Sequence, residues 1–201
     1  MESGNYRLVL ASASPRRREL LTKLGQVFEV KPCDIDEYKI DGENGEAYVL
    51  RTARRKCQVA SENTEGEKTL VIAADTAVCI DDDILGKPAD ENDAVSMLKR
   101  LSGREHTVIT GLAVKDTLSG VMIDGSIKTS VFFRKLTDEE IESYVASGEP
   151  MGKAGAYAIQ GLGSLLIRRI EGDYFNVVGL PLNYLYEVLQ KFHFNLLNTG
   201  K

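Results

Sequence analysis

The fold class is decided by residues 6–24, which read YRLVLASASPRRRELLTKL. The first part, Tyr6 to Ala11, is a short apolar run typical of a buried strand. The second part predicts a helix, because Ser14 is a favourable N-cap residue, Pro15 suits the first helical position and Gly25 ends the periodic pattern. A buried strand that passes directly into a helix is the repeating unit of α/β proteins.

The same alternation continues along the chain and predicts one α/β domain spanning residues 1–201. Further strands are predicted at 28–31, 69–74 (with an extended continuation at 77–80), 107–114, 121–133 and 165–170, and further helices at 45–61, 90–101, 137–148 and 181–192. The run Asp81-Asp82-Asp83 is interpreted as a hairpin turn and not as a site. No internal repeat or linker-like stretch divides the sequence.

Composition narrows the classes of function. The 201 residues are 43% hydrophobic, enough for one sizeable core, and the net charge of -5 argues against a protein that binds duplex nucleic acid. The three cysteines form no C-x-x-C pair, which disfavours a disulfide framework and a zinc site. The sequence shows neither a signal peptide nor a membrane span, so we expect a soluble, cytoplasmic protein that does not bind membranes.

The junction after the first strand has the features of an anion site. Helix N-termini attract anions through free amide groups, and Ser12 adds a hydroxyl donor. Arg16, Arg17 and Arg18 occupy the first turn, where positive charge opposes the helix dipole unless an anion is bound. The alternative is a capped helix with a solvated basic turn. No Walker-type phosphate loop occurs in the sequence.

Acidic residues follow two of the predicted strands. Asp75 lies at the end of the buried strand 69–74, where ligands of open α/β sheets collect, and its carboxylate could hold a divalent cation or accept a proton from water. A turn or capping aspartate is the alternative. Asp34, Asp36 and Glu37 follow the second strand, and their oxygen atoms suit Mg²⁺ or Mn²⁺, although an acidic surface loop is the commoner case.

Three lysines and one glutamine complete the candidates. Lys87 is flanked by Gly86 and Pro88, and Lys153 is followed by small residues that allow the backbone to approach a ligand closely. Lys56 lies on a predicted helix, and each of these lysines alone could equally be a solvated surface residue. The amide of Gln160 offers two donors and one acceptor, which suits recognition of a nucleobase edge.

These residues occur within a set of motifs that resembles the Maf family. The motifs run in the family's order between residue 7 and about residue 193. They are Ser12-Ala13-Ser14-Pro15-Arg16-Arg17, Ala74-Asp75-Thr76, Gly86-Lys87-Pro88, Leu101-Ser102-Gly103-Arg104-Glu105-His106, Lys153-Ala154-Gly155-Ala156-Tyr157 followed by Ile159-Gln160-Gly161, and Asp173-Tyr174 followed by Asn176-Val177-Val178-Gly179-Leu180-Pro181. A single motif would be weak evidence for this resemblance, but the ordered set of motifs is specific to the family.

The resemblance implies an enzyme with a known architecture. Maf proteins are nucleoside triphosphate pyrophosphatases related in fold to inosine triphosphate pyrophosphatase, with a long mixed sheet flanked by helices and a cleft between two lobes. They release a nucleoside monophosphate and pyrophosphate, and they require a divalent cation, here Mg²⁺ or Mn²⁺. The family is linked to septum formation and to cleansing of the nucleotide pool. Its members often form dimers, so a homodimer is a further expectation.

The resemblance also assigns roles to residues. Asp75 matches the proton acceptor of the family and is expected to contact the metal, together with Asp36 or Glu37, a pair that the sequence does not resolve. The cleft positions that engage phosphates match Ser12, Arg17, Lys56 and Lys87.

In the family, the choice of nucleobase depends on three further positions. The subgroup acting on dTTP and UTP carries Arg, Thr and Gln there, matching Arg16, Thr76 and Gln160, whereas a sister subgroup acting on 7-methyl-GTP tends to carry Trp, Gln and Glu. One residue departs from the pattern: Gly152 stands where the family usually has an acidic residue. The alternatives are therefore the same reaction on another nucleotide, or a nucleotide-binding regulator of cell division without activity.

Overall fold

A computed structural model describes residues 6–64 and 68–197, and a mixed sheet of seven strands forms its centre. The strands are β1 (Arg7–Leu10), β2 (Phe28–Val30), β3 (Thr69–Ile80), β4 (Asp83–Leu85), β5 (Glu105–Asp116), β6 (Met122–Phe133) and β7 (Ile167–Glu171). Their spatial order is β2-β1-β3-β5-β6-β7, and β4 pairs with β3. β1 is parallel to β2 and β3, and the other pairings are antiparallel.

Helices flank this sheet, as the sequence predicts. They are α1 (Pro15–Lys23), α2 (Gly45–Glu62), α3 (Glu91–Leu101), α4 (Asp138–Ala146), α5 (Tyr174–Val178) and α6 (Leu182–Lys191). Asn44, Asp90 and Thr137 cap α2, α3 and α4 through their side chains, and Thr137 forms a capping box with Glu140. α5 was not predicted, because a helix of five residues shows no helical periodicity. Within the described residues, no helix combines the length and apolar character needed to span a membrane.

One edge of β3 is open at its middle. Residues 69–72 pair with β1 and residues 78–80 pair with β4, whereas the described chain places no strand beside residues 73–77 on that edge. β5 covers the other edge throughout. The open stretch lies just beyond the carboxyl end of β1, where ligands of α/β sheets bind, and Asp75 is at its centre.

Two apolar cores lie on either side of this opening and form the two expected lobes. The first combines Leu70 and Ile72 of β3 with the buried leucines of α1 and α6. The second combines Val78 and Ile80 of β3 with the buried faces of α3 and α4. Because β3 contributes to both cores, its middle is held rigidly between the lobes.

The position of α2 on the sheet depends on a glycine in β5. A Cβ atom at Gly111 would lie 2.5 Å from the carbonyl oxygen of Val49, so only glycine allows the helix backbone to pack this closely. Val49, Ala53 and Cys57 of α2 are fully buried against the sheet. This packing directs Lys56 of the same helix towards the opening in β3.

His106 on β5 is buried and lies in an aromatic cluster. Its ring contacts Phe133 and Tyr157 edge to face, with centroid distances of 5.0 and 5.4 Å. Nε2 lies 2.7 Å from the Tyr157 hydroxyl, and Nδ1 has no hydrogen-bond partner within the described residues. Burial lowers the pKa of His106 to about 4, so the ring is neutral at pH 7.

We expect this histidine to make the protein less stable as the pH falls from 6.5 to about 4. In that window the unfolded chain binds a proton that the folded protein does not, so the free energy of unfolding decreases by on the order of 3 kcal/mol. Urea denaturation of the wild type and of His106→Gln at several pH values measures the effect.

The loss over this window should be smaller for His106→Gln than for the wild type. His193, the other histidine of the chain, is exposed, so His193→Gln should follow the wild-type curve. Parallel curves for His106→Gln and the wild type would contradict the assignment of the pH dependence to His106.

Candidate active site

A cavity of about 930 Å³ opens beside the unpaired middle of β3, and it collects the predicted site residues. Its walls come from the start of α1, from α2, from β3 and from the loops around Gly86 and Lys153. The predicted site residues that line it are Ser12, Arg16, Arg17, Glu37, Lys56, Asp75, Thr76, Lys87, Lys153 and Gln160. Basic groups beside the first strand and acidic groups beside β3 therefore share one cleft.

Two carboxylates meet on one ammonium group at the base of this cleft. Lys56 Nζ donates to Asp75 Oδ1 at 2.7 Å and lies 2.7 Å from Glu37 Oε1. The Lys56 and Asp75 side chains are each only 9% exposed, so their charges are largely removed from water. Burial alone would raise the pKa of Glu37, but the hydrogen bond and charge of Lys56, together with more distant cations, lower it instead. The cluster carries one excess negative charge when its three groups are ionised.

The structure distinguishes the two acidic residues that the sequence left unresolved. Glu37 lines the cleft, and its backbone carbonyl accepts a hydrogen bond of 3.0 Å from the Tyr48 hydroxyl. Asp36 is exposed, does not line the cleft, and accepts from the Tyr38 amide at 3.2 Å. Asp34 is exposed as well. Of these three acidic residues, Glu37 is the one whose side chain lines the cleft.

Arg17 is buried and anchored within the protein. Its Nε donates to the Gly179 carbonyl at 2.7 Å, while its two terminal nitrogens donate to Ser12 Oγ at 3.1 Å and to Thr76 Oγ1 at 3.0 Å. Burial lowers the pKa of Arg17, and the charge of Asp75 opposes this shift. Three of the five guanidinium N–H groups thus bind the protein, which leaves two for a ligand.

A chain of hydroxyl groups fixes the direction of these hydrogen bonds. Thr110 Oγ1 donates to the Asn176 carbonyl at 2.9 Å and lies 2.9 Å from Thr76 Oγ1. Because a threonine hydroxyl has one proton, Thr76 must donate to Thr110 and accept from Arg17. Thr76 therefore offers only an acceptor towards the cleft. The positions of Thr110 and Asn176 in the sequence do not predict this chain of hydrogen bonds.

The three arginines at the start of α1 have different environments. Arg17 is buried, Arg16 is partly buried at the cleft wall, and Arg18 is exposed outside the cleft. Ser14 occupies the N-cap position, but its side chain makes no capping hydrogen bond. Its amide instead donates to Ser12 Oγ at 3.2 Å. The N-terminus of α1 therefore remains suited to an anion in the cleft.

Lys87 and Lys153 lie on the opposite wall. The Gly155 amide donates to the Gly86 carbonyl at 3.0 Å, which joins the two loops that carry these lysines. Lys87 is exposed, whereas Lys153 is partly buried and its Nζ donates to the backbone carbonyl of Glu149. Burial and the nearby charge of Arg16 lower the pKa of Lys153. The cleft thus presents cations on both walls above the carboxylate cluster.

Glu149 of the cleft wall and its hydrogen-bond partner Tyr144 escaped prediction from sequence. Glu149 lines the cleft, and Tyr144 donates to its Oε1 at 2.9 Å. Burial alone would raise the pKa of Glu149, but hydrogen bonds from backbone amides and from Tyr144 lower it. Glu149 lies three residues before Gly152, so this wall retains a carboxylate even though Gly152 is not acidic.

A family comparison agrees with the geometry. The family model described as Maf-like protein matches residues 7–192. The chain belongs to the Maf family. Many relatives of this Maf protein are named dTTP/UTP pyrophosphatase, including one from Syntrophotalea carbinolica that is 48% identical over 92% of this chain and 84% of its own. Another, from Geobacter metallireducens, is 50% identical over 92% of this chain and 96% of its own.

Solved structures give a weaker likeness. A nucleoside-triphosphatase / dITP/XTP pyrophosphatase from Mycobacterium abscessus matches 93% of the Maf chain and 94% of its own, with a TM-score of 0.44 and 13% sequence identity. The fold of the Maf chain is defined by its own mixed sheet and flanking helices.

Proposed function

We propose that this Maf protein hydrolyses nucleoside triphosphates, with dTTP and UTP as its substrates, to the nucleoside monophosphate and pyrophosphate. The observation that carries the proposal is the convergence of cations from both walls on the Lys56-centred carboxylate cluster within one cleft. Relatives that are about half identical over most of the chain are named for this activity.

The basic groups suit a triphosphate chain. Arg16 and the N-terminus of α1 form one wall, and Lys87 and Lys153 form the other, so phosphate oxygens between them would be neutralised from two sides. Arg17 contributes a further positive charge in the cleft. Its three hydrogen bonds to the protein keep the guanidinium in place when the substrate binds. Groups held in place before binding stabilise developing negative charge without reorganisation.

The carboxylate cluster fits a divalent cation that binds together with the substrate. Lys56 occupies one oxygen of Asp75 and one of Glu37, which leaves Asp75 Oδ2 and Glu37 Oε2 for the cation. Within residues 6–64 and 68–197, no group of three or more His, Cys, Asp or Glu side chains forms a metal cage. Mg²⁺ commonly binds through one or two carboxylates plus phosphate oxygens and water, so two carboxylates suffice. A cation held there would offset the charge of the triphosphate in the transition state.

Asp75 is the residue proposed to accept the proton of the attacking water. Its Oδ1 is engaged by Lys56 at 2.7 Å, so Oδ2 would serve both roles, with one lone pair towards the cation and the other towards the attacking water. The carboxylate is held at the centre of the open stretch of β3, between the walls that bind the phosphates. A base fixed within reach of the reacting centre lowers the barrier of proton transfer.

Arg16, Thr76 and Gln160 are proposed to select the base. Thr76 offers an acceptor, because its proton is committed to Thr110. The Gln160 amide lines the cleft and makes no hydrogen bond within the described part of the chain, so both its donors and its acceptor are available to a base edge. A site that hydrogen-bonds a base rejects bases that leave its polar groups unpaired.

A panel of nucleoside triphosphates with separate detection of pyrophosphate and orthophosphate tests the proposal. With Mg²⁺ present, dTTP and UTP should give pyrophosphate faster than ATP, GTP, CTP or 7-methyl-GTP. Orthophosphate without pyrophosphate would contradict the proposed bond, and preference for 7-methyl-GTP would contradict the proposed base. Binding without turnover would favour a regulatory role instead.

A further inference from the structure

One end of the cleft is organised by a carboxylate that the mechanism above does not use. Glu149 Oε1 accepts from the Tyr144 hydroxyl at 2.9 Å and from the Gly163 amide at 2.9 Å, and Oε2 accepts from the Leu162 amide at 3.0 Å. Hydrogen bonds to an ionised acceptor are stronger than neutral ones. Three donors on one carboxylate therefore fix the segment that supplies the two amides.

The segment fixed in this way carries Gln160. Tyr144 holds it on the preceding side, because its hydroxyl accepts from the Ala158 amide at 3.4 Å. Gly161 lies directly against the carboxylate: its φ is +69°, and a Cβ atom there would be 2.6 Å from Glu149 Oε2. Gln160 is thus clamped on both sides, while its amide makes no hydrogen bond with the rest of the described chain.

The same pair of side chains lies beside other groups of the cleft wall. The backbone carbonyl of Glu149 accepts from Lys153 Nζ, and Lys153 lines the cleft as well. Glu149 therefore contacts both Lys153, proposed to bind phosphate, and the segment that carries Gln160, proposed to read the base.

We propose that Glu149 is a positioning residue that sets the base selectivity of the cleft by fixing the backbone from which the Gln160 side chain reaches the base. The inference rests on the function proposed above. A fixed amide penalises a wrong base, because the amide is left unpaired when the base edge does not match. A mobile amide turns to water or to another base edge and loses that penalty. Glu149 thus acts through Gln160 on the choice of substrate, and not on the bond that is broken.

Glu149→Gln tests this directly, because it keeps the shape of the side chain but replaces one acceptor with an NH₂ group that cannot accept from an amide. The ratio of kcat/KM for UTP to that for ATP should fall about tenfold, which is the value of one hydrogen bond, with kcat for UTP little changed. Tyr144→Phe, which removes the hydroxyl between Glu149 and Ala158, should lower the ratio in the same direction. Glu142→Gln on the exposed side of α4 is the matched control and should leave the ratio unchanged.

A double variant separates positioning from a general structural effect. Gln160→Ala alone should lower the ratio, and adding Glu149→Gln should lower it no further, because Glu149 acts through Gln160. Calorimetric binding of UMP and AMP gives the same comparison without turnover, so it remains valid if the proposed hydrolysis fails. Glu149→Gln with wild-type discrimination in both measurements, or double-variant losses that add, would overturn the inference while leaving the proposed function intact.

Discussion

Replacing Asp75 by asparagine is expected to lower kcat for UTP by about 10²- to 10⁴-fold, the range that a positioned general base contributes. The amide retains the size of the side chain and an oxygen that can accept from Lys56, but it cannot accept a proton from water. Its metal affinity should also be weaker. Steady-state release of pyrophosphate measures the change.

The matched control for Asp75→Asn is Asp83→Asn. Asp83 forms an exposed ion pair with Arg100 at 2.9 Å and does not line the cleft. This variant should retain wild-type turnover and a wild-type melting temperature. Near wild-type turnover by folded Asp75→Asn protein would show that Asp75 is not the catalytic carboxylate.

Replacing Lys56 by methionine is expected to destabilise the protein by about 3–5 kcal/mol, the usual cost of removing one partner from a buried ion pair. Lys56 is the cation between Asp75 and Glu37, and the side chains of Lys56 and Asp75 are nearly buried. Without it, two carboxylates face each other in the cleft with no charge between them. Urea denaturation at pH 7 measures the loss.

Two comparisons sharpen the Lys56→Met prediction. Arg54 lies on the same helix and forms an exposed ion pair with Asp124, so Arg54→Met should cost less than about 1 kcal/mol. Lowering the pH should narrow the gap in stability between Lys56→Met and the wild type, because the wild type then loses the stability linked to the pKa of Glu37, which Lys56 lowers. A loss no larger than that of Arg54→Met would contradict a structural role for the Lys56 cluster.

The parts of the fold that sequence predicts well are those governed by local rules. Strand and helix alternate with clear apolar patterns, and the helices predicted at 90–101 and 137–148 are confirmed as α3 and α4. The short helix α5 was missed because five residues carry no periodicity. The open middle of β3 depends on where β1 ends and β4 begins in space, which the order of elements does not specify.

The residues of the candidate site also differ in how well the sequence predicts them. Residues in contiguous motifs, such as Arg17 and Asp75, could be named from sequence because their neighbours have characteristic chemistry. Glu149 could not, because its role depends on amides that are more than ten residues away. Asp36 and Glu37 are adjacent and chemically alike, so only the direction of the backbone in space separates them.

The most direct test of the account is hydrolysis of UTP in ¹⁸O-labelled water, followed by mass spectrometry of both products. The proposed roles put the attacking water beside Asp75 and the departing pyrophosphate among the cations that line the cleft. The account therefore predicts one ¹⁸O atom in UMP and none in pyrophosphate. Label in pyrophosphate, or in released orthophosphate, would mean attack at another phosphorus and would contradict the account.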